Sequence, residues 1–221
     1  VDIVDGLRGT GAVRSFTNDR VDHSTIGRIL DLARFAPSGG NRQPWRVAVV
    51  EDLNIRDRLG AAMQPVWDEY VAMSALGVTP FSVVPPAPYE MTSTTPGNTP
   101  NLMLSEIASI PVVLAVAADL SSIAMMDKDL DRAPITGGAS VYPFCWSILL
   151  AARAEGLGGV ITTFASRAEK ITGPLLGLPE NHALVATIFL GHPVKQATKL
   201  SREPVTSFTT IDRFDGPTFT M

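Results

Sequence analysis

The chain has 221 residues, enough for one domain with a substantial core. Apolar residues make up 45% and charged residues 18%, the proportions of a globular protein. A net charge of −4 argues against a nucleic-acid binder that works mainly through phosphate contacts.

Ile3, Val4 and Leu7 predict a short helix over residues 1–8, broken by Gly9-Thr10-Gly11. Residues 21–36 read as an amphipathic helix: Ile26, Ile29, Leu30, Ala33 and Ala36 share one face, with Asp22 or Ser24 as N-cap. Pro37 stops it. The run Ala36-Pro37-Ser38-Gly39-Gly40-Asn41-Arg42-Gln43-Pro44-Trp45 is a polar loop with several hydrogen-bonding groups and no carboxylate. Such a loop suits a flat heteroaromatic ligand, although a plain helix-to-strand turn has the same composition. Residues 46–50 then form a strand, ended by Glu51-Asp52.

A second helical region covers residues 54–76, and Pro65 inside it predicts a kink or a split. Trp67 and Tyr70 read first as helix packing; an aromatic face there could also stack on a planar substrate. Residues 77–100 carry Pro80, Pro85, Pro86, Pro88, Pro96 and Pro100 among Ser and Thr, so neither a regular helix nor a central strand fits. A loop of that length is usually a lid or binding loop, and residues 77–110 are assigned as a Pro-rich insertion or lid.

Residues 111–118 are a continuous apolar strand for a sheet covered on both faces. A charged, then glycine-rich connection follows over 125–138, and a buried helix over 141–156, stopped by Gly156. Gly159-Val160-Ile161-Thr162-Thr163-Phe164 is a strand end entering a helix, with Ser166 and Glu169 at capping-box spacing. Residues 183–190 are a last apolar strand, followed by Lys195, Lys199 and Arg202. Residues 205–221 show no period.

Cys145 is the only cysteine, which excludes an intrachain disulfide and a CxxC site. His23, His182 and His192 lack metal-ligand spacing, and no metal is expected. No apolar run reaches the roughly 18 residues of a membrane helix. Asp2 and Asp5 stand where a leader would be basic. A soluble cytoplasmic protein with no nucleic-acid or membrane partner is expected. No GxGxxG or GxxxxGK[ST] run follows a strand, and no Ser/His/Asp, Cys/His or carboxylate pair has convincing spacing.

Ala-Pro-Ser-x-x-Asn-x-Gln-Pro-Trp ahead of a strand resembles the flavin loop of the nitroreductase family, the FMN-dependent reductases. The resemblance extends to the first turn around Arg14 and Phe16, the helix at Leu149-Leu150-Ala151-Ala152-Arg153-Ala154-Glu155-Gly156-Leu157-Gly158, the Thr162-Thr163 turn and the late arginine, in the family's order. Gly11 and Ala12 depart from it, since relatives often carry a basic residue and a hydroxyl there. The fold implied is α+β, a single domain over residues 1–221. Its central, mostly antiparallel sheet is flanked by helices in an intertwined homodimer, and residues 204–221 form a C-terminal arm across the partner.

The resemblance also implies the site. FMN would be bound by Arg14, Pro37, Ser38, Gly39, Asn41, Ile161, Thr162, Thr163 and Arg202. Arg14 would stand near the pyrimidine edge, where a cation favours the anionic reduced ring. The Thr163 backbone N–H would address N5, and Arg202 would hold the phosphate. No catalytic side chain is implied, because the flavin carries the chemistry. The implied activity passes hydride from NADH or NADPH to a nitroaromatic, quinone or similar small planar substrate. The alternatives are a specialised member (flavin-destroying, deiodinating or dehydrogenating) and a flavin-binding or storage protein without turnover.

Overall fold

A computed structural model of the chain describes residues 2–84, 99–196 and 199–220. Pro85, Pro86, Pro88 and Pro96 lie outside the described residues.

Helix α1 (Ile3–Gly9) is capped by Asp2, whose carboxylate accepts from the Val4 and Asp5 N–H groups. Helix α2 (His23–Ala33) starts at Asp22, which accepts from Thr25 N–H at 2.7 Å. After the polar loop come strand β1 (Trp45–Val49) and helix α3 (Leu53–Ala75), capped by Asp52. The split that Pro65 offered does not occur: α3 runs on through it. Pro65 and Ala61 both lie on the exposed face, so the carbonyl that loses its intrahelical donor turns to water.

Between Leu102 and Ile110 the chain packs into the core. Helix α4 (Leu102–Ser105) and a 3-10 turn at Ile107–Ser109 bury Met103, Leu104 and Ile107. Strand β2 (Val112–Asp119), helix α5 (Tyr142–Ala154), strand β3 (Gly158–Thr162), helices α6 (Phe164–Arg167) and α7 (Glu169–Leu176) and strand β4 (His182–Gly191) complete the regular structure. Gly156 ends α5 at φ +79°, as its place in the sequence predicts. The Ser166–Glu169 capping box is not formed, because α6 has already begun at Phe164. Glu169 instead accepts from Leu184 N–H at 2.6 Å and ties α7 to β4.

The sheet order is β1-β2-β4-β3, with every strand pair antiparallel. The apolar run of β2 splits by alternation between two cores. Val112, Leu114, Val116 and Ala118 face α2 and α5, where Ile26, Ile29, Phe144 and Ile148 pack. Val113 and Ala115 face α3 and α4, against Leu59, Met63, Leu104 and Phe189. A register shift between Val116 and Ala117 re-aims the partner strand, so Leu184 joins the second core while Ala186, Ile188 and Leu190 serve the first. Arg56 is 7% exposed and donates to the Val50, Ala108 and Ile110 carbonyls, joining the end of β1 to the turn ahead of β2.

Candidate functional site

Two adjacent glycines on β3 make room for their neighbours, Gly158 for the Val13 side chain and Gly159 for the paired strand. Val13 N–H donates to the Gly159 carbonyl at 2.9 Å, and Ala12 bridges Gly159. A Cβ at Gly158 would stand 2.7 Å from Val13 Cγ2. One at Gly159 would stand 2.4 Å from Leu190 Cδ2 and 2.6 Å from the Phe189 carbonyl oxygen. Thr17 N–H to the His192 carbonyl, at 2.8 Å, continues the clasp. Arg14, distant in sequence, is thereby carried to the end of β3.

There Arg14, Ile161, Thr162 and Thr163 line one cleft of about 520 Å³, a size typical of small-molecule sites. α3 contributes Trp67 and Tyr70, stacked at 5.8 Å between ring centroids, and Phe164 meets both edge-on at 5.9 Å. Trp67 ring N–H donates to the Thr99 carbonyl at 3.2 Å, and Asp68 accepts from Thr99 N–H at 3.0 Å. That clamp delivers Asn101, Leu102 and Met103 to the wall of the cleft. Among the described residues Arg14 is its one charged lining residue. An aromatic, mostly apolar cleft with one cation fits a flat ring whose edge carries polar or anionic character.

The other predicted residues lie elsewhere within the chain. Arg202 lines a second cleft of about 800 Å³, with Arg8, Arg153 and Lys199. The segment from Gly9 to Arg14 runs from this cleft to the aromatic one. Pro37, Ser38, Gly39 and Asn41 line neither. Their loop is closed on itself: Ser38 Oγ accepts from Gln43 N–H at 3.0 Å, and Gln43 donates to Asn41. Gly40, Asn41 and Gln43 all take positive φ, which only the glycine adopts without strain. Ser140, just ahead of α5, holds Gly39 N–H at 3.1 Å, and Trp45 stacks on Phe144 at 4.6 Å. The loop is thus pre-shaped by α5 rather than by a ligand.

Sequence reasoning missed Asn101, Met103 and Phe164 as lining residues, and Arg8 and Arg153 beside Arg202. Arg153, a lone cation in an otherwise apolar helix, was the signal present. Among the described residues no group of His, Cys, Asp or Glu is placed to hold a metal. No described helix is long and apolar enough to cross a membrane. Cys145 is buried in α5, where burial pushes its thiol up to about 12, far from a nucleophilic thiolate.

A Nitroreductase family model matches residues 7–192. The chain belongs to the nitroreductase family. It is 29% identical over 201 residues to 5,6-dimethylbenzimidazole synthase of Rhodospirillum rubrum, covering 87% of this chain and 86% of that protein. Nitrobenzene nitroreductase of Ectopseudomonas oleovorans is 28% identical over 208 residues, covering 86% of each. Among solved structures, the NADPH:FMN oxidoreductase of Vibrio harveyi, complexed with NAD+, shares the fold at a TM-score of 0.66. It is 19% identical, over 95% of this chain and 76% of that one. The nitroreductase match takes in the aromatic cleft and the polar loop but ends before Arg202.

Proposed function

We propose that this nitroreductase-family chain is an FMN-dependent oxidoreductase, a cytoplasmic homodimer that passes hydride from NADH or NADPH to a nitroaromatic, quinone or similar planar acceptor. One observation carries the reading: Arg14 and Ile161–Thr163 meet in an aromatic-walled cleft in which that arginine is the only charged lining residue among the described residues. FMN, when bound, supplies the redox chemistry, taking hydride at N5 and giving it up again. Arg14 would favour negative charge on the pyrimidine edge, and the Thr163 backbone N–H would be the group offered to the ring. Ile161 and Thr162 support the ring, and Trp67 and Tyr70 present a stacking wall to whichever flat partner enters. Arg202 holds the phosphate. The loop of Pro37, Ser38, Gly39 and Asn41, which borders neither cleft of its own chain, serves the flavin bound by the partner copy. The Pro-rich residues 77–100 act as a lid over the acceptor, and 204–221 as the arm that crosses the dimer.

Anaerobic mixing of the FMN-loaded protein with NADH or NADPH tests this. Bleaching of the flavin absorbance within seconds, and parallel lines in initial-rate plots against an acceptor, are expected, because one face is used in turn. Intersecting lines would count against a shared face. The synthase among the relatives favours a second reading, a specialised enzyme that transforms a particular substrate or the flavin itself. Slow or absent bleaching, with loss of the flavin spectrum over repeated turnover, would favour it. Bound flavin that neither bleaches nor degrades would mark a storage protein.

A further inference from the structure

We propose that Arg153, on the last turn of α5, is a phosphoryl-binding residue, acting with Arg8 and Arg202 where Gly11 and Ala12 offer no side-chain donor. The cleft concerned is the one of about 800 Å³ lined, among the described residues, by Arg8, Arg153, Lys199, Arg202 and a single acid, Asp5. Five other arginines, at 28, 34, 132, 167 and 213, are paired with carboxylates. Arg153 is not. It is half-buried, makes no ion pair among the described residues, and its Nε is buried without a hydrogen-bond partner. With no carboxylate beside it among the described residues, the guanidinium has no ion pair to give up before its outer N–H groups take an anion.

The charge balance points the same way. The carbonyl ends of α1 and α5 each favour a nearby cation, at about half an elementary charge per helix. Together with Asp5 they offset about two of the four positive charges, leaving an excess of about two. A phosphate monoester carries about that charge with opposite sign. The guanidinium is also positioned in advance. Its Nη2 stands 3.7 Å from where a Cβ on Gly9 would be, so it lies against the last turn of α1. A planar fork held in place suits two phosphate oxygens at once.

The ligand chemistry is a phosphate monoester dianion. Under the function proposed above, on which this assignment of source rests, it is the flavin's own 5′-phosphate, since the Gly9–Arg14 segment links this cleft to the ring cleft. A free phosphorylated metabolite has the same chemistry.

The test compares FMN with riboflavin, which lacks the phosphate, by flavin fluorescence titration of the wild-type protein and of Arg153→Ala and Arg153→Lys. Thermal protection by inorganic phosphate is measured alongside, and circular dichroism checks folding. Arg153→Ala is expected to weaken FMN about 10-fold or more and riboflavin less than 2-fold, as for loss of one charge-assisted contact. Arg153→Lys should recover part of the difference. Unchanged flavin affinities with phosphate protection lost in Arg153→Ala would support the site with a free ligand as its source. Equal losses for FMN and riboflavin, or no change in any of the three, would overturn the proposal. A wild-type protein that takes up neither flavin would refute the oxidoreductase reading, while the phosphate arm would still decide the role of Arg153.

Discussion

Gly159→Ala tests how the site is assembled. The added Cβ would meet Leu190 Cδ2 at 2.4 Å, the Phe189 carbonyl oxygen at 2.6 Å and Leu149 Cδ2 at 3.0 Å. Leu190 is fully buried and Leu149 is 6% exposed, so neither side chain has free space to turn into, and the Phe189 carbonyl belongs to the strand paired with β3. Overpacking of this kind costs about 1–3 kcal/mol, and the backbone contact places this case near the upper end. At a urea slope of about 2 kcal/mol/M the midpoint should fall by about 1 M. Moving β3 also moves the Val13–Gly159 contact that sets Arg14 beside Thr162, so flavin uptake should fall with stability. Gly27→Ala is the matched control. Gly27 lies on the exposed face of α2 with nothing within 4 Å of an added Cβ. There the same methyl group should stabilise by about 0.5–1 kcal/mol through helix propensity and a less free unfolded chain. Both are measured by urea denaturation at one fixed protein concentration. A Gly159→Ala midpoint within about 0.2 M of wild type, well inside the shift expected from overpacking, would refute the close-approach argument.

Arg56→Met removes three hydrogen bonds, of 2.7 Å to Val50, 2.6 Å to Ile110 and 3.2 Å to Ala108, and leaves their carbonyls unmet in the core. A loss of about 2–4 kcal/mol by denaturation is expected, and a loss below about 1 kcal/mol would contradict the role given to this arginine. Acid should weaken the fold through Asp127 and Asp22. The Thr136 hydroxyl, then the Ile135 N–H, hold Asp127 well below its ordinary 3.8, and the Ser24 hydroxyl with Thr25 lowers Asp22 to about 2. Because the folded state binds these protons less readily, their contribution is full above about pH 4 and fades as pH falls through the folded values. Asp127→Asn should therefore flatten the fall in thermal midpoint below pH 4, and an unchanged slope would count against it. In the flavin-loaded protein, Arg14→Gln should lower the flavin midpoint potential by a few tens of millivolts. A charge about 8 Å away at an effective dielectric of about 20 contributes about 2 kcal/mol before screening, and 1.4 kcal/mol is about 30 mV for two electrons. Spectroelectrochemistry reads the shift, and an unmoved potential would remove Arg14 from the ring's edge.

Much of the fold could be read directly from the sequence. Asp22 sits at a helix start because a short acidic side chain satisfies open N–H groups, and Gly156 ends α5 because a left-handed residue is needed there. The apolar run at 112–118 had to be covered on both faces. The resemblance carried by the Pro37–Trp45 loop placed the chain in its family, and the match over residues 7–192 bears that out. The split offered at Pro65 did not occur because a proline on a solvated helix face leaves its orphaned carbonyl to water. The capping box failed because Ser166 already lay inside a helix. Both outcomes depend on which way a side chain faces, which composition does not encode.

The candidate site divides the same way. Arg14, Ile161, Thr162 and Thr163 could be named one by one from the sequence, since local residue order carries a motif. That they share a wall with Trp67, Tyr70, Phe164 and Asn101 depends on long-range packing: Gly158 leaves room for the Val13 side chain beside β3, and Asp68 and Trp67 hold Thr99. The separation of Arg202 into a cleft with Arg8 and Arg153 is likewise a tertiary fact, because Arg8, Arg153 and Arg202 are far apart in sequence and meet only where α1 packs on α5.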